Sequence, residues 1–183
     1  MILSKNKKIG IRAIEESDLG TIQKWRNDST IRRYFREHRE LSLFQKNNWY
    51  QKMILSPCFE MFVIEDIELK NNFDDEPTIV GVAGITYIDW LNRHGDVHFY
   101  IGKNSAWIDK KYSPEAIYLI LNYGFNVLNL NKLYAEVYEI DKKKLKFFKK
   151  MGFKVDASLR EHYFFEGKYY TSHILSLLKG EYH

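Results

Sequence analysis

The stretch TIVGVAGITYIDW, Thr78 to Trp90, is long, apolar and rich in β-branched residues, and after LNRHG the chain resumes as DVHFYIG, Asp96 to Gly102. Two strand-like runs joined by a short polar turn form an antiparallel hairpin. Two glycines inside the first run leave its backbone locally uncovered. The period then changes. In IDKKYSPEAIYLILNYGF, Ile108 to Phe125, Ser113 can cap a helix whose first turn holds Pro114 and Glu115, and KLYAEVYE, Lys132 to Glu139, follows as another strand.

Elements on either side extend this pattern. KIGIRAI, Lys8 to Ile14, alternates like a strand, and Ser17-Asp18 opens a helix with an apolar stripe at Leu19, Ile22 and Trp25. A second helix is expected over about Leu43 to Leu55, a strand over FEMFVIED (Phe59 to Asp66), and a surface loop over ELKNNFDDEP (Glu68 to Pro77). A lysine-rich helix ends at Gly152, and the tail supplies two strands around the Glu166-Gly167 turn. Strands, then helix, strand, helix and hairpin describe a mixed α/β sheet with helices packed on it. Without repeats or a linker, residues 1–183 are read as a single domain.

Composition narrows the function classes. Of 183 residues 45% are hydrophobic and 16% aromatic, enough for a core. The formal net charge of +4 is mild and acidic residues are interspersed, unlike the one-sided charge of a nucleic-acid binder. KKKLKFFKK, Lys142 to Lys150, is the exception. It reads either as a solvated helix face with Leu145, Phe148 and Met151 turned inward, or as a patch for phosphate-bearing ligands. No apolar run approaches the ~20 residues that span a bilayer, and MILSKNKKIGIR lacks the apolar stretch of a signal peptide. Cys58 is the sole cysteine, which excludes an internal disulfide, and a small buried hydrophobe is expected there. A cytoplasmic protein without membrane contact follows. No His/Cys cluster has metal spacing, and no serine has the context of an activated nucleophile.

The order of these elements resembles the GNAT superfamily of acyl-CoA-dependent N-acyltransferases, over nearly the whole chain from Ile9 to Tyr182. IRAIEESDLGTIQKWRNDSTIRRYF, DVHFYIG, YSPEAIYLILNYGFNVLNLNKLYAEVYEID, FFKKMGF and EGKYYTSHILSLLKGEY carry the likeness. Within the superfamily the chain looks similar to the branch of ribosomal-protein N-terminal and amino-sugar-nucleotide N-acetyltransferases. The resemblance implies a twisted, mostly antiparallel sheet of about seven strands flanked by about four helices, and acetyl-CoA as cosubstrate. A small-molecule primary amine, favoured as a nucleotide-linked amino sugar, is then the acceptor. A protein N-terminus, or a non-catalytic acyl-CoA-binding role, are the alternatives, and a homodimer is compatible with any of them.

Site residues follow from the same resemblance. The pyrophosphate is expected at the loop Asp109, Lys110, Lys111, Tyr112 and Ser113, ahead of a helix N-terminus that favours anions. That loop departs from the family pattern, with Ile108 for Arg or Gln, Lys111 for the first Gly and Ser113 for Gly or Ala. Phe99 and Ile101 lie on the strand beside the thioester and offer a backbone N–H to its oxygen. Asp141, Lys144 and Phe148 stand where the family has Asn, Ser or Ala, and the Tyr that protonates the departing thiolate. Asp96, His98 and Tyr100 alternate onto one face, with Asp96 or His98 as proton acceptor. Arg26, Asn27, Arg32, Arg33 and Trp49 border the acceptor, although Arg32, Arg33 and Arg36 can equally pair with Glu37 and Glu40 in solvent.

Overall fold

The computed structural model describes residues 1–6, 8–72 and 78–182, with residues 70–72 as backbone only. Eight strands form one sheet: β1 (Ile2–Leu3), β2 (Ile9–Ala13), β3 (Glu60–Asp66), β4 (Ile79–Asp89), β5 (His94–Ile101), β6 (Lys132–Tyr138), β7 (Lys154–Phe165) and β8 (Lys168–Leu178). Their order is β1-β2-β3-β4-β5-β6-β8-β7. The helices are α1 (Leu19–Asn27), α2 (Ser29–Arg32), α3 (Leu43–Ile54), α4 (Ile67–Asn72), α5 (Ser113–Asn122) and α6 (Lys142–Lys150). The mixed α/β class is as expected, with β1, α2 and α4 as additions.

Every neighbouring pair is antiparallel except β5 and β6, which lie parallel and are joined over the sheet by α5. Their pairing is short: His94 with Lys132, Gly95 with Leu133, and Asp96 with Tyr134. Beyond that point β5 runs on to Ile101 and β6 to Tyr138 without meeting, so the sheet opens there. Alternation along β5 sorts its side chains between the two faces. Phe99 packs on Phe148 of α6, with ring centroids 5.8 Å apart. His98 and Tyr100 turn the other way, 6.2 and 5.0 Å from the ring of Phe35.

Three local readings change. The β4 glycines are covered rather than exposed, because a Cβ at Gly81 or Gly84 would stand 2.3 Å from the carbonyl oxygen of Tyr100 or Glu60. Glu68 begins no loop: the Asp66 carboxylate accepts the N–H groups of Glu68 and Leu69 and starts α4. The rest of that expected loop, residues 73–77, lies outside the described residues. Finally, Asp109 rather than Ser113 caps α5. Its Oδ1 accepts from the backbone N–H groups of Tyr112 and Ser113 at 2.9 and 2.8 Å. Ser113 becomes the first helical residue, fully buried, with its hydroxyl bonded to Asp109 Oδ1 at 3.0 Å. Cys58 is half-buried. Among the described residues no helix is long and apolar enough to cross a membrane.

Candidate active site

A cavity of about 550 Å³ lies between α1, α3, the segment after α2, and the face of β5 that carries Asp96, His98 and Tyr100. Period-two alternation therefore brings the three expected β5 residues together on its wall. Arg26 and Trp49 line it as well, and so does Lys144, which reaches it from α6.

Asp96 is buried, and its carboxylate accepts from Arg36 Nη2 at 2.8 Å. Burial raises its pKa while the guanidinium opposes the rise. Arg36 spans the opening of the sheet, because its Nε donates to Glu136 of β6 at 2.9 Å. The expected Arg36 pairing with Glu37 or Glu40 does not form: Glu37 pairs with Arg39 at 2.8 Å and Glu40 with Arg32 at 3.8 Å. His98 is half-buried at the cavity wall, and its pKa falls well below the ordinary value. Desolvation is the main cause, followed by the nearby charges of Lys144, Arg26, Lys46 and Arg36. The imidazole is thus neutral at pH 7.

Lys144 overturns the picture of α6 as a wholly solvated basic face. Leu145, Phe148 and Met151 do turn inward, but so does this lysine. Its Nζ donates to the Phe99 carbonyl at 3.3 Å and lies 4.4 Å from the centre of the Trp107 ring. Burial lowers its pKa to about 8 against the pull of Asp141 and Asp96. Asp141 caps α6 through the Lys144 N–H at 2.9 Å and accepts from Trp107 Nε1 at 2.7 Å. Asn104, Ser105 and Trp107 all take left-handed backbone conformations, a costly arrangement for side-chain-bearing residues that swings the indole into this place.

Backbone groups face the opening too. Gly102 N–H bonds to Val80 O, which makes 80/102 a hydrogen-bonded pair of the β4–β5 ladder. Alternation then points the N–H and C=O of Val97, Phe99 and Ile101 away from β4, towards β6. Ile101 is already paired with Trp107 in both directions at 2.9 Å. Phe99 N–H is left directed into the gap between β5 and β6.

The remaining expected residues lie elsewhere. Asn27 holds Leu41 through both backbone groups at 2.8 Å. Arg33 sits between the rings of Tyr34 and Phe165, 5.4 and 5.1 Å from their centres. Phe148 is fully buried. Lys111 is drawn to Asp66 at 3.1 Å and to the Tyr112 hydroxyl at 2.8 Å. Sequence reasoning did not single out Lys46, Arg36 or Glu136 as site residues. Lys46 carried a usable signal, since it stands four and seven positions before Tyr50 and Met53 on the buried stripe of α3. Arg36 and Glu136 meet only across the sheet, and no local pattern marks them.

Comparison with known proteins yields a consistent set. The family profile described as acetyltransferase (GNAT) domain matches residues 8–154. Spermidine N(1)-acetyltransferase of Vibrio cholerae serotype O1 is 26% identical over 177 residues, covering 97% of this chain and 96% of the relative. Its counterpart from Escherichia coli K12 is 25% identical, over 95% and 88% of the two chains. The crystal structure of the spermidine N-acetyltransferase from Vibrio cholerae in complex with CoA and spermine superposes with a TM-score of 0.84 at 25% identity, covering 96% of this chain and 98% of that one. These relatives replace the expected likeness to ribosomal-protein and amino-sugar branches with one to spermidine acetyltransferases.

Proposed function

The chain belongs to the GNAT acetyltransferase family and is an acyl-CoA-dependent N-acetyltransferase with acetyl-CoA as cosubstrate; on that premise we propose that the cavity beside β5 seats the small-molecule amine and that the gap between β5 and β6 admits the thioester. The observation that carries this is the parting of the two strands after Asp96 and Tyr134, which leaves Phe99 N–H facing a gap that Lys144 and Arg36 reach.

Acetyl-CoA supplies an activated acetyl group and a thiol leaving group. Phe99 N–H is the donor placed to hold the carbonyl oxygen as charge gathers there. His98, neutral and facing the cavity, accepts the proton that the attacking amine loses, directly or through water. Asp96 is engaged by Arg36, so its role is to hold that arginine and with it the Glu136 side of the gap. Phe148 cannot protonate the departing sulfur. Lys144 Nζ, held between the Phe99 carbonyl and the Trp107 ring, reaches the gap from α6 and serves as the donor in its place. At the loop, the Asp109 carboxylate already holds two of the amides expected for the pyrophosphate. Lys111 is committed to Asp66, so Lys110 is the residue left to meet that charge.

Two acceptor classes are in play. The relatives named above act on spermidine, whereas Arg26 and Trp49 on the cavity wall are residue types that suit a nucleotide-linked amino sugar. A binding titration with acetyl-CoA and CoA, followed by turnover of an amine panel, tests the reading. Binding of acetyl-CoA without acetylation of any small amine would defeat it.

A further inference from the structure

We propose that Arg26, Lys46 and the Tyr100 hydroxyl form an oxyanion subsite in the cavity, so that the acceptor amine carries a phosphate or carboxylate group; this rests on the cavity being the acceptor site. Apart from Lys52, which is exposed to solvent at the rim, the other charges in the cavity are already matched. Arg36 is held by Asp96 and Glu136, and Arg39 by Glu37. Lys144 donates to the Phe99 carbonyl. Arg26 and Lys46 differ. Each lies over an aromatic ring, Arg26 at 3.5 Å from the centre of Phe35 and Lys46 at 3.3 Å from that of Trp49. Neither makes an ion pair or a hydrogen bond with the described residues, although Lys46 is only 5% exposed. The Tyr100 hydroxyl is buried on the same wall and has no partner either.

These groups converge. Arg26 stands close enough to Lys46 to lower its pKa, added to burial, to about 7, and close enough to Tyr100 to oppose the upward push of burial on the phenol. His98 faces the same cluster from β5, and Glu37, paired with Arg39, is the acid that acts on Arg26. A guanidinium, an amine driven towards its neutral form and an unbonded hydroxyl, held together with no carboxylate directly paired to them, are costly to bury. Oriented cation and hydroxyl donors of this kind are what a phosphate or carboxylate requires. A polyamine meets the opposite arrangement. The cavity's three carboxylates, Glu37, Asp96 and Glu136, are each in an ion pair, and a second ammonium would face Arg26 and Lys46.

The test uses the full chain and two independent readouts. With CoA saturating its own site, inorganic phosphate should raise the Tm of the unaltered protein and leave that of Lys46→Met unmoved. Lys46→Met alone should raise the Tm of the ligand-free protein, whereas a lysine that supports the fold would lower it on removal. With acetyl-CoA, phosphoethanolamine or β-alanine should exceed spermidine at least tenfold in kcat/KM, and the better of the two tells phosphate from carboxylate. Arg26→Gln and Lys46→Met should erase that preference while acetyl-CoA affinity is kept. A preference for spermidine that both variants leave unchanged, or equal phosphate shifts in protein and variant, would overturn the subsite. If no amine turns over, the acetyl-transfer reading fails and the phosphate measurement still decides the subsite.

Discussion

Lys144 shows how far one residue can depart from the pattern around it. It sits in the most basic run of the chain, yet it is 9% exposed and its ammonium contacts a carbonyl and an indole. Asp141, Asp96, Arg36 and His98 are the charged or titratable groups around it. With a pKa of about 8, it is charged at neutral pH and loses its proton as pH rises through that value. As the donor to the leaving sulfur, it should impose a fall in kcat above about pH 8. Lys144→Met should abolish that limb and lower kcat about tenfold or more with little change in KM for acetyl-CoA. A second readout is independent of turnover: the thiol of bound CoA should ionise at lower pH in the unaltered protein than in Lys144→Met, as followed by thiolate absorbance. An unchanged thiol titration would remove this role. His98 leads to a contrasting expectation. Because its imidazole is already neutral at pH 7, it should add no inflection near pH 6.5 to the kcat/KM profile of Lys46→Met, while His98→Ala and Asp96→Asn each lower turnover more than tenfold. Full activity of both variants at every pH would place deprotonation elsewhere. Asp96, His98 and Tyr100 were legible because strand alternation is a local rule. Arg36 was not, since its two carboxylate partners come from strands far along the chain.

At the scale of elements, the loop before α5 is the instructive case. A capped helix start was legible from Ser113-Pro114-Glu115, but the cap itself comes from Asp109, whose side chain folds back over the turn. Such Asx geometry depends on the path of the loop, which no spacing rule fixes. It places a carboxylate where an incoming pyrophosphate needs positive charge. Asp109→Asn keeps an oxygen acceptor for the two amides and removes the charge, so acetyl-CoA should bind about two- to fivefold more tightly by calorimetry, from the ~0.3–1 kcal/mol of a charge at a helix end. Lys110→Ala should weaken binding by a similar factor. Unchanged or weaker binding by Asp109→Asn together with unchanged or tighter binding by Lys110→Ala would place the pyrophosphate elsewhere. The β4–β5 hairpin and the α6 end at Gly152 were legible for a simpler reason, as each is set by neighbours in sequence. Helix α4 was missed because its start depends on the Asp66 side chain, a single capping residue in a run whose composition reads as loop.

For the whole molecule, the sheet is two antiparallel parts joined at one parallel seam, β1 to β5 on one side and β6 to β8 on the other. The alternation of antiparallel hairpin, helix and strand was readable, but the point where the seam gives way was not, since it depends on Trp107, Arg36 and Lys144 arriving from three separate segments. If the thioester enters there, acetyl-CoA should slow amide hydrogen exchange at Phe99 and leave the β7–β8 hairpin unaffected. Equal protection at both would argue for general stabilisation instead. The short seam also bears on how the chain reaches this state. Antiparallel neighbours such as β4 with β5 and β7 with β8 close small loops and can form early, whereas His94 must find Lys132 across the whole of α5. The seam therefore assembles after those hairpins, together with the other long-range pairings such as Ile9 with Asp66. Leu133→Ala, at a fully buried seam position, should mainly speed unfolding and leave the folding rate nearly unchanged.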